Sequence, residues 1–154
     1  MERFEQKLLE YIQLNRIKAE LIHFNQSCRS VAEAAQAAGT SPDNLVKNIC
    51  LIDKDGNLIV AIVKGEDKVD PNLIGTIFGT EPPRIATPDE IPAKTGYPCG
   101  GVPSFGYSAR FLIDPRVMEK EVVYTGGGSP YALVKIASAE LVTANQGQIV
   151  RIRI

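Results

Sequence analysis

Apolar residues at Phe4, Leu8, Leu9, Tyr11, Ile12 and Leu14, with charges between them, fall close to a helical period and predict an amphipathic helix from Glu2 to Ile17 within an N-terminal segment 1–18. The period then shortens. Ala19 to Phe24 (AELIHF) reads as a strand, closed by the polar run NQSCR. Ser30-Val-Ala-Glu33 has the form of a capping box, alanines follow, and Gly39 supplies the stop, so a second helix with small residues suited to close packing is predicted. Ser41-Pro42 opens a short helical turn. From Val46 the runs VKNICLID and NLIVAIVKG flank Asp55-Gly56, the signature of a hairpin of two antiparallel strands.

The second half repeats these signals. Asp70-Pro71 starts a helix (NLIGTIFG) despite Gly75, Arg84 to Ala86 makes a brief strand, and Thr87-Pro88-Asp89-Glu90 caps a short helix ending by Gly96. RFLI (110–113), EVVYT (121–125) and YALVKIA read as strands, Asp114-Pro115 as a helix start and ASAELVTAN as a last helical turn. QIVRIRI alternates like a terminal edge strand. Strands and helices interleave, and the Asp-Gly hairpin argues against a purely parallel sheet. The expected fold class is α/β (α+β), with a mixed, mostly antiparallel, partly closed sheet surrounded by helices.

At 154 residues and 44% apolar content the chain has the size and core of one domain, 1–154. Seventeen Lys and Arg stand against eighteen Asp and Glu, so no strong overall field draws it to nucleic acid or to an acidic membrane, and any such contact is local. No apolar run approaches the roughly 20 residues of a membrane span, and the charged N-terminus is unlike a signal peptide, which points to the cytoplasm. The cysteines, Cys28, Cys50 and Cys99, are odd in number and scattered, with His23 the only imidazole, so no zinc site is expected. No cofactor or metal is implied.

Chemistry concentrates in a few places. The stretch from Thr95 to Tyr107, TGYPCGGVPSFGY, has too much glycine and proline for a helix, and its bare backbone at Gly100 and Gly101 suits an anion or a reacting carbonyl. A rigid turn between strands is the plainer alternative. Lys47, beside the apolar run Ile49–Ile52, is either an outward strand lysine or a cation at the mouth of a pocket. Cys50 reads as a buried hydrophobe, while Cys99 beside the double glycine lacks a base in sequence. Gly126-Gly127-Gly128-Ser129-Pro130 lacks the phosphate-loop pattern, and His23 is expected to be a structural histidine. Asp89, Glu90 and Asp114 stand where helices begin, and capping accounts for them.

Taken in order, Ser30-Val-Ala-Glu-Ala-Ala, Val46-Lys47-Asn48, Lys64-Gly65-Glu66-Asp67-Lys68-Val69-Asp70, Ala86-Thr87-Pro88-Asp89-Glu90, the 95–106 loop, Phe111-Leu112-Ile113-Asp114 and Thr125-Gly126-Gly127-Gly128 resemble the YbaK family, free-standing relatives of the prolyl-tRNA synthetase editing domain. The resemblance spans roughly residues 19 to 144. It implies an aminoacyl-tRNA deacylase that works without metal on the ester of a mischarged amino acid of the Cys, Ala, Ser or Thr class. The implied partners are the 3′ acceptor end of the tRNA and an aminoacyl-tRNA synthetase. The family's lysine falls on Lys47 and its glycine loop on Gly100 and Gly101, the implied catalytic residues. Ser30, Asn48, Pro103, Thr125, Gly126 and Gly127 make up the implied substrate-binding set. Two departures stand out: proline follows Gly100 one place early, and Asn48 occupies a position where many relatives carry threonine. A non-catalytic module that keeps the fold and binds tRNA or a synthetase is the alternative, as is a structural domain without a ligand; the enzyme and the binding module both require Lys47, Gly101 and Gly126 to line one pocket, whereas the structural domain leaves Lys47 in open solvent and the glycine loops apart.

Overall fold

The computed structural model describes residues 2–154. Helix α1 (Arg3–Leu14) is capped by the Glu2 carboxylate on the Glu5 amide and buries Leu8 and Ile12, and with them Glu5. Strand β1 (Ala19–His23) leads to α2 (Val31–Ala38), where Ser30 and Glu33 form the reciprocal capping box and Gly39 ends the helix in the left-handed region. A 3-10 turn at Pro42–Asn44 precedes the hairpin of β2 (Val46–Ile52) and β3 (Leu58–Lys64). Helix α3 (Pro71–Phe78), the short β4 (Arg84–Ile85) and helix α4 (Glu90–Thr95) follow. The glycine-proline stretch then runs without regular structure to β5 (Arg110–Ile113) and a 3-10 turn at Pro115–Glu119. Strands β6 (Val122–Gly126) and β7 (Ala132–Ala137), helix α5 (Ser138–Asn145) and β8 (Gln148–Ile149) complete the chain.

These strands make two sheets, ordered β1-β7-β6 and β4-β2-β3-β5-β8. The first is antiparallel throughout; the second is antiparallel from β4 to β3 and parallel from β3 through β5 to β8. The mixed, mostly antiparallel character expected from the Asp-Gly hairpin is present. In place of one partly closed sheet, a single parallel bridge between Leu45 and Tyr124 joins two. β3 is buried at every position because both of its faces are covered. Leu58, Val60 and Ile62 face the larger core with Leu8, Phe105 and Val134, while Ile59, Ala61 and Val63 face a second core with Ile74 and Leu112. Lys64, at its end, is buried and paired with Asp43 at 3.2 Å and Glu66 at 3.4 Å.

The tail departs from the expected edge strand. Only Gln148 and Ile149 pair with β5, after which Asp114 takes over. This fully buried carboxylate accepts from the amides of Arg116 (3.0 Å), Ile152 (3.0 Å) and Arg153 (3.2 Å) and from Arg153 Nη1 (2.8 Å). It caps the 3-10 turn as expected and also pins the C-terminus, which drops Ile152 into the second core. Removing one partner of such a pair leaves an unmatched charge and bare amides, at a cost of about 3 kcal/mol. Asp114→Ala is therefore predicted to lower the melting temperature by roughly 6–12 °C for a chain of this size. A calorimetric midpoint within about 2 °C of wild type would contradict this role.

Candidate active site

The two edges of β2 differ. One pairs with β3 along its whole length, whereas the other meets β4 only at Leu51 and Ile52, with the Ala86 amide donating to the Cys50 carbonyl at 2.9 Å. From Val46 to Ile49 this second edge has no strand beside it, and β6 makes backbone pairing with the chain there only at the Leu45–Tyr124 bridge. A cavity of about 310 Å³ opens in the gap. Val31, Ala34, Leu45, Ile91 and Leu133 give it apolar walls.

A closed polar ring crosses the gap. Asn48 Nδ2 donates to Thr125 Oγ1 (2.9 Å) and to the Val102 carbonyl (2.9 Å), and Ser104 Oγ donates to Asn48 Oδ1 (2.7 Å). Ser104 and Thr125 are 2.7 Å apart. Because Ser104 has one proton and gives it to Asn48, the Thr125 hydroxyl must be the donor to Ser104. Every donor in the ring is used. Ser104 and Thr125 are fully buried, so the ring ties β2, the glycine-proline loop and β6 together without leaving a polar hydrogen unmatched.

The two glycine segments meet backbone to backbone. A Cβ on Gly126 would stand 2.1 Å from the Val102 carbonyl oxygen, and one on Gly101 would stand 2.6 Å from the Ser129 nitrogen. The Gly128 amide donates to the Gly101 carbonyl at 2.8 Å. Gly101's own amide is used by the Pro98 carbonyl (3.0 Å) and Gly127's by Ala132 (3.1 Å). Gly100 is different: it has φ +92°, is exposed, and has nothing nearer than Arg29 Cγ at 3.9 Å from its would-be Cβ. Among the described residues no acceptor in the protein takes the amides of Gly100 or Val102, and both residues line the cavity.

Among the described residues, Arg29 and Lys47 are the only cationic side chains lining the cavity, and no carboxylate lines it. Neither cation is ion-paired among the described residues. All three cysteines also line it. Burial, helped by Glu33, pushes the Cys28 thiol up, and burial with Cys99 nearby pushes Cys50 up to about 11. Both are neutral thiols at pH 7. The single imidazole, His23, is held 2.8 Å from Glu5 and does not line the cavity.

The family model described as "Aminoacyl-tRNA editing domain" matches residues 25–144. This chain belongs to that family. The editing domain is 25% identical over 133 residues to YwhH of Bacillus subtilis (strain 168), described as uncharacterized, covering 85% of this chain and 83% of that one. It is 23% identical over 112 residues to the proline–tRNA ligase of Thermotoga neapolitana, covering 66% of this chain but only 19% of the ligase. Among solved structures, hypothetical protein APE2540 matches with TM-score 0.88 and 29% identity over 96% of this chain and 99% of the other. A candidate trans-editing enzyme for prolyl tRNA synthetase shares the fold at TM-score 0.92 and 24% identity, over 100% and 99% of the two chains.

Of the residues expected in the editing domain's site, Ser30, Lys47, Asn48, Gly100, Thr125 and Gly126 line the one cavity. Gly101, Pro103 and Gly127 do not line it, and at the first and last a Cβ would strike neighbouring backbone. Lys47 and Asn48 project to opposite faces of β2, and both line the cavity because the strand edge between them is free. Arg29 and Ser104 were not expected as site residues. Ser104 lay inside the legible loop, but its partners are 21 and 56 residues away in sequence; Arg29's only local signal was its place beside the Ser30 cap.

These contacts separate the glycines. Gly126→Ala is predicted to cost about 1–3 kcal/mol, as overpacking does, and more than Gly100→Ala, whose methyl meets open space and costs backbone strain of about 1–2 kcal/mol. Chemical denaturation of the two variants checks the order, and equal midpoints would contradict the packing. The thiols make a second prediction: in the folded protein at pH 8, iodoacetamide modifies exposed Cys99 first, since a thiol near 11 is only about one part in a thousand thiolate. Peptide mass spectrometry showing Cys50 labelled as fast as Cys99 would contradict it.

Proposed function

We propose that this chain is an aminoacyl-tRNA deacylase acting in trans, which hydrolyses the ester of a mischarged amino acid of the Cys, Ala, Ser or Thr class at the 3′ end of tRNA, in the cytoplasm and without metal. The observation that carries this reading is the convergence of Lys47, Gly100 and Gly126 on a single cavity beside the free edge of β2. The relation to proline–tRNA ligases supports a synthetase-linked proofreading role.

In this mechanism the aminoacyl group enters the gap and its side chain rests on the apolar walls. The 3′ nucleotide stays at the mouth, where Arg29 and Lys47 face its phosphate with no competing carboxylate. The ester carbonyl lies against the glycine-proline loop. Because the Gly101 amide is already used, the unspent amides of Gly100 and Val102 take the oxyanion as it forms. Water attacks the carbonyl carbon, the bond to the ribose oxygen breaks, and the proton shed by the water passes to the leaving oxygen, giving the free amino acid and the 3′ hydroxyl. The substrate's own 2′-hydroxyl orients the water, which relieves the protein of supplying a base. A covalent route through Cys28 or Cys50 is disfavoured because both are held as neutral thiols. An ester of this kind is already activated, so placement and polarisation carry most of the work.

The test is deacylation of tRNAs mischarged with Cys, Ala, Ser or Thr. At least one ester is predicted to be hydrolysed, with Lys47→Ala reducing kcat/KM about tenfold or more. No hydrolysis of any of the four, or full activity in the variant, would contradict the reading.

A further inference from the structure

Helix α1 lies outside the stretch that matches the family, 25–144, yet it touches both glycine segments of the cavity. Lys7 Nζ donates to the Gly96 carbonyl at 3.0 Å and sits 4.5 Å above the Tyr97 ring, at the start of the glycine-proline loop. Tyr11 stacks on Phe105 further along it, centroids 6.1 Å apart. On the other side α1 abuts the second glycine turn: a Cβ on Gly128, which has φ +96°, would meet the Phe4 carbonyl oxygen at 2.8 Å.

Between these contacts lies Glu5, fully buried on a helix face otherwise apolar. A carboxylate there is costly unless both oxygens are matched. Oε2 accepts from Ser129 Oγ at 2.7 Å, and Oε1 lies 2.8 Å from His23 Nδ1 on β1. A carboxylate only accepts, so Ser129 must donate and Nδ1 must carry its proton. That fixes the Ser129 hydroxyl, whose lone pair receives the Tyr131 amide at 3.0 Å. Ser129 is next to Gly128, whose amide grips the Gly101 carbonyl, and Gly101 is next to Gly100 at the cavity.

We propose that Glu5 is a positioning residue for the active site: through Ser129 it holds the second glycine turn against the first, and so keeps the amides of Gly100 and Val102 aimed into the cavity. Its effect on rate rests on the deacylase reading, but its effect on the turn does not. Two measurements separate them: deacylation kinetics, and exchange of the Gly127 and Gly128 amides followed by NMR. Three variants are compared. Glu5→Leu keeps the bulk and removes the acceptors; Glu5→Gln restores an acceptor for Ser129 while its amide serves the other His23 tautomer; Leu8→Ala weakens the same helix in the larger core and takes no hydrogen-bond acceptor from the turn.

Working below the melting temperature of each variant, Glu5→Leu is expected to lower kcat about tenfold with KM within about threefold, and to speed Gly127 and Gly128 exchange about tenfold or more. Glu5→Gln is expected to stay within about threefold of wild type, and Leu8→Ala to keep its kcat. Wild-type kcat and exchange in Glu5→Leu, or an equal loss in Leu8→Ala, would overturn the proposal. If wild type hydrolyses no ester the deacylase reading fails, and the exchange comparison alone then decides: faster exchange in Glu5→Leu than in Leu8→Ala supports positioning, and equal exchange overturns it.

Discussion

Two lengths of backbone, Gly101–Val102 and Gly126–Ser129, lie closer together than any side chain permits, and the site depends on that approach. The Gly128–Gly101 hydrogen bond and the contact of Gly126 with the Val102 carbonyl place a loop from the middle of the chain against a turn near its end. Glycine serves here by what it omits. At Gly100 the need is the left-handed backbone, at Gly128 it is both that and space, and at Gly101, Gly126 and Gly127 it is space. The loop's work is thereby divided between residues that hold it and residues with amides left for a ligand.

The second constraint is the unpaired edge of β2. A sheet edge with free polar groups is ordinarily paired, covered or charged, and here β4 covers only its far end while β6 stands off. The Asn48–Ser104–Thr125 ring spans the resulting gap. Since the ring consumes its own donors, it holds the walls together while leaving the cavity's remaining polarity to backbone amides and two cations. Its lining of described residues holds Arg29 and Lys47 and no carboxylate, which suits a phosphate-bearing ligand even though the formal net charge of the chain is −1.

Features with a local cause were legible in the sequence. The Ser30 capping box, the Asp70-Pro71 and Asp114-Pro115 starts and the Asp-Gly hairpin each depend on a few adjacent residues, and each is present. What was not legible depends on distant partners. The parallel pairing of β5 with β3 follows a crossover of more than forty residues, and the tail leaves the sheet because Asp114 binds Ile152 and Arg153. Glu5 reads as one more charge on an amphipathic helix until Ser129 and His23 are placed beside it. In the same way the resemblance pointed to the loop at Gly100-Gly101, but only the packing shows that Gly100 lines the cavity and Gly101 does not.

The central claim is that the aminoacylated 3′ end docks between the β2 edge and the two glycine turns. Titrating the isotopically labelled protein with an adenosine carrying the amino acid through a non-hydrolysable 3′ amide tests this directly. The account predicts amide shifts concentrated at Lys47, Asn48, Gly100, Val102 and Gly126. Shifts confined to a surface away from these residues, or none at saturating ligand, would contradict it.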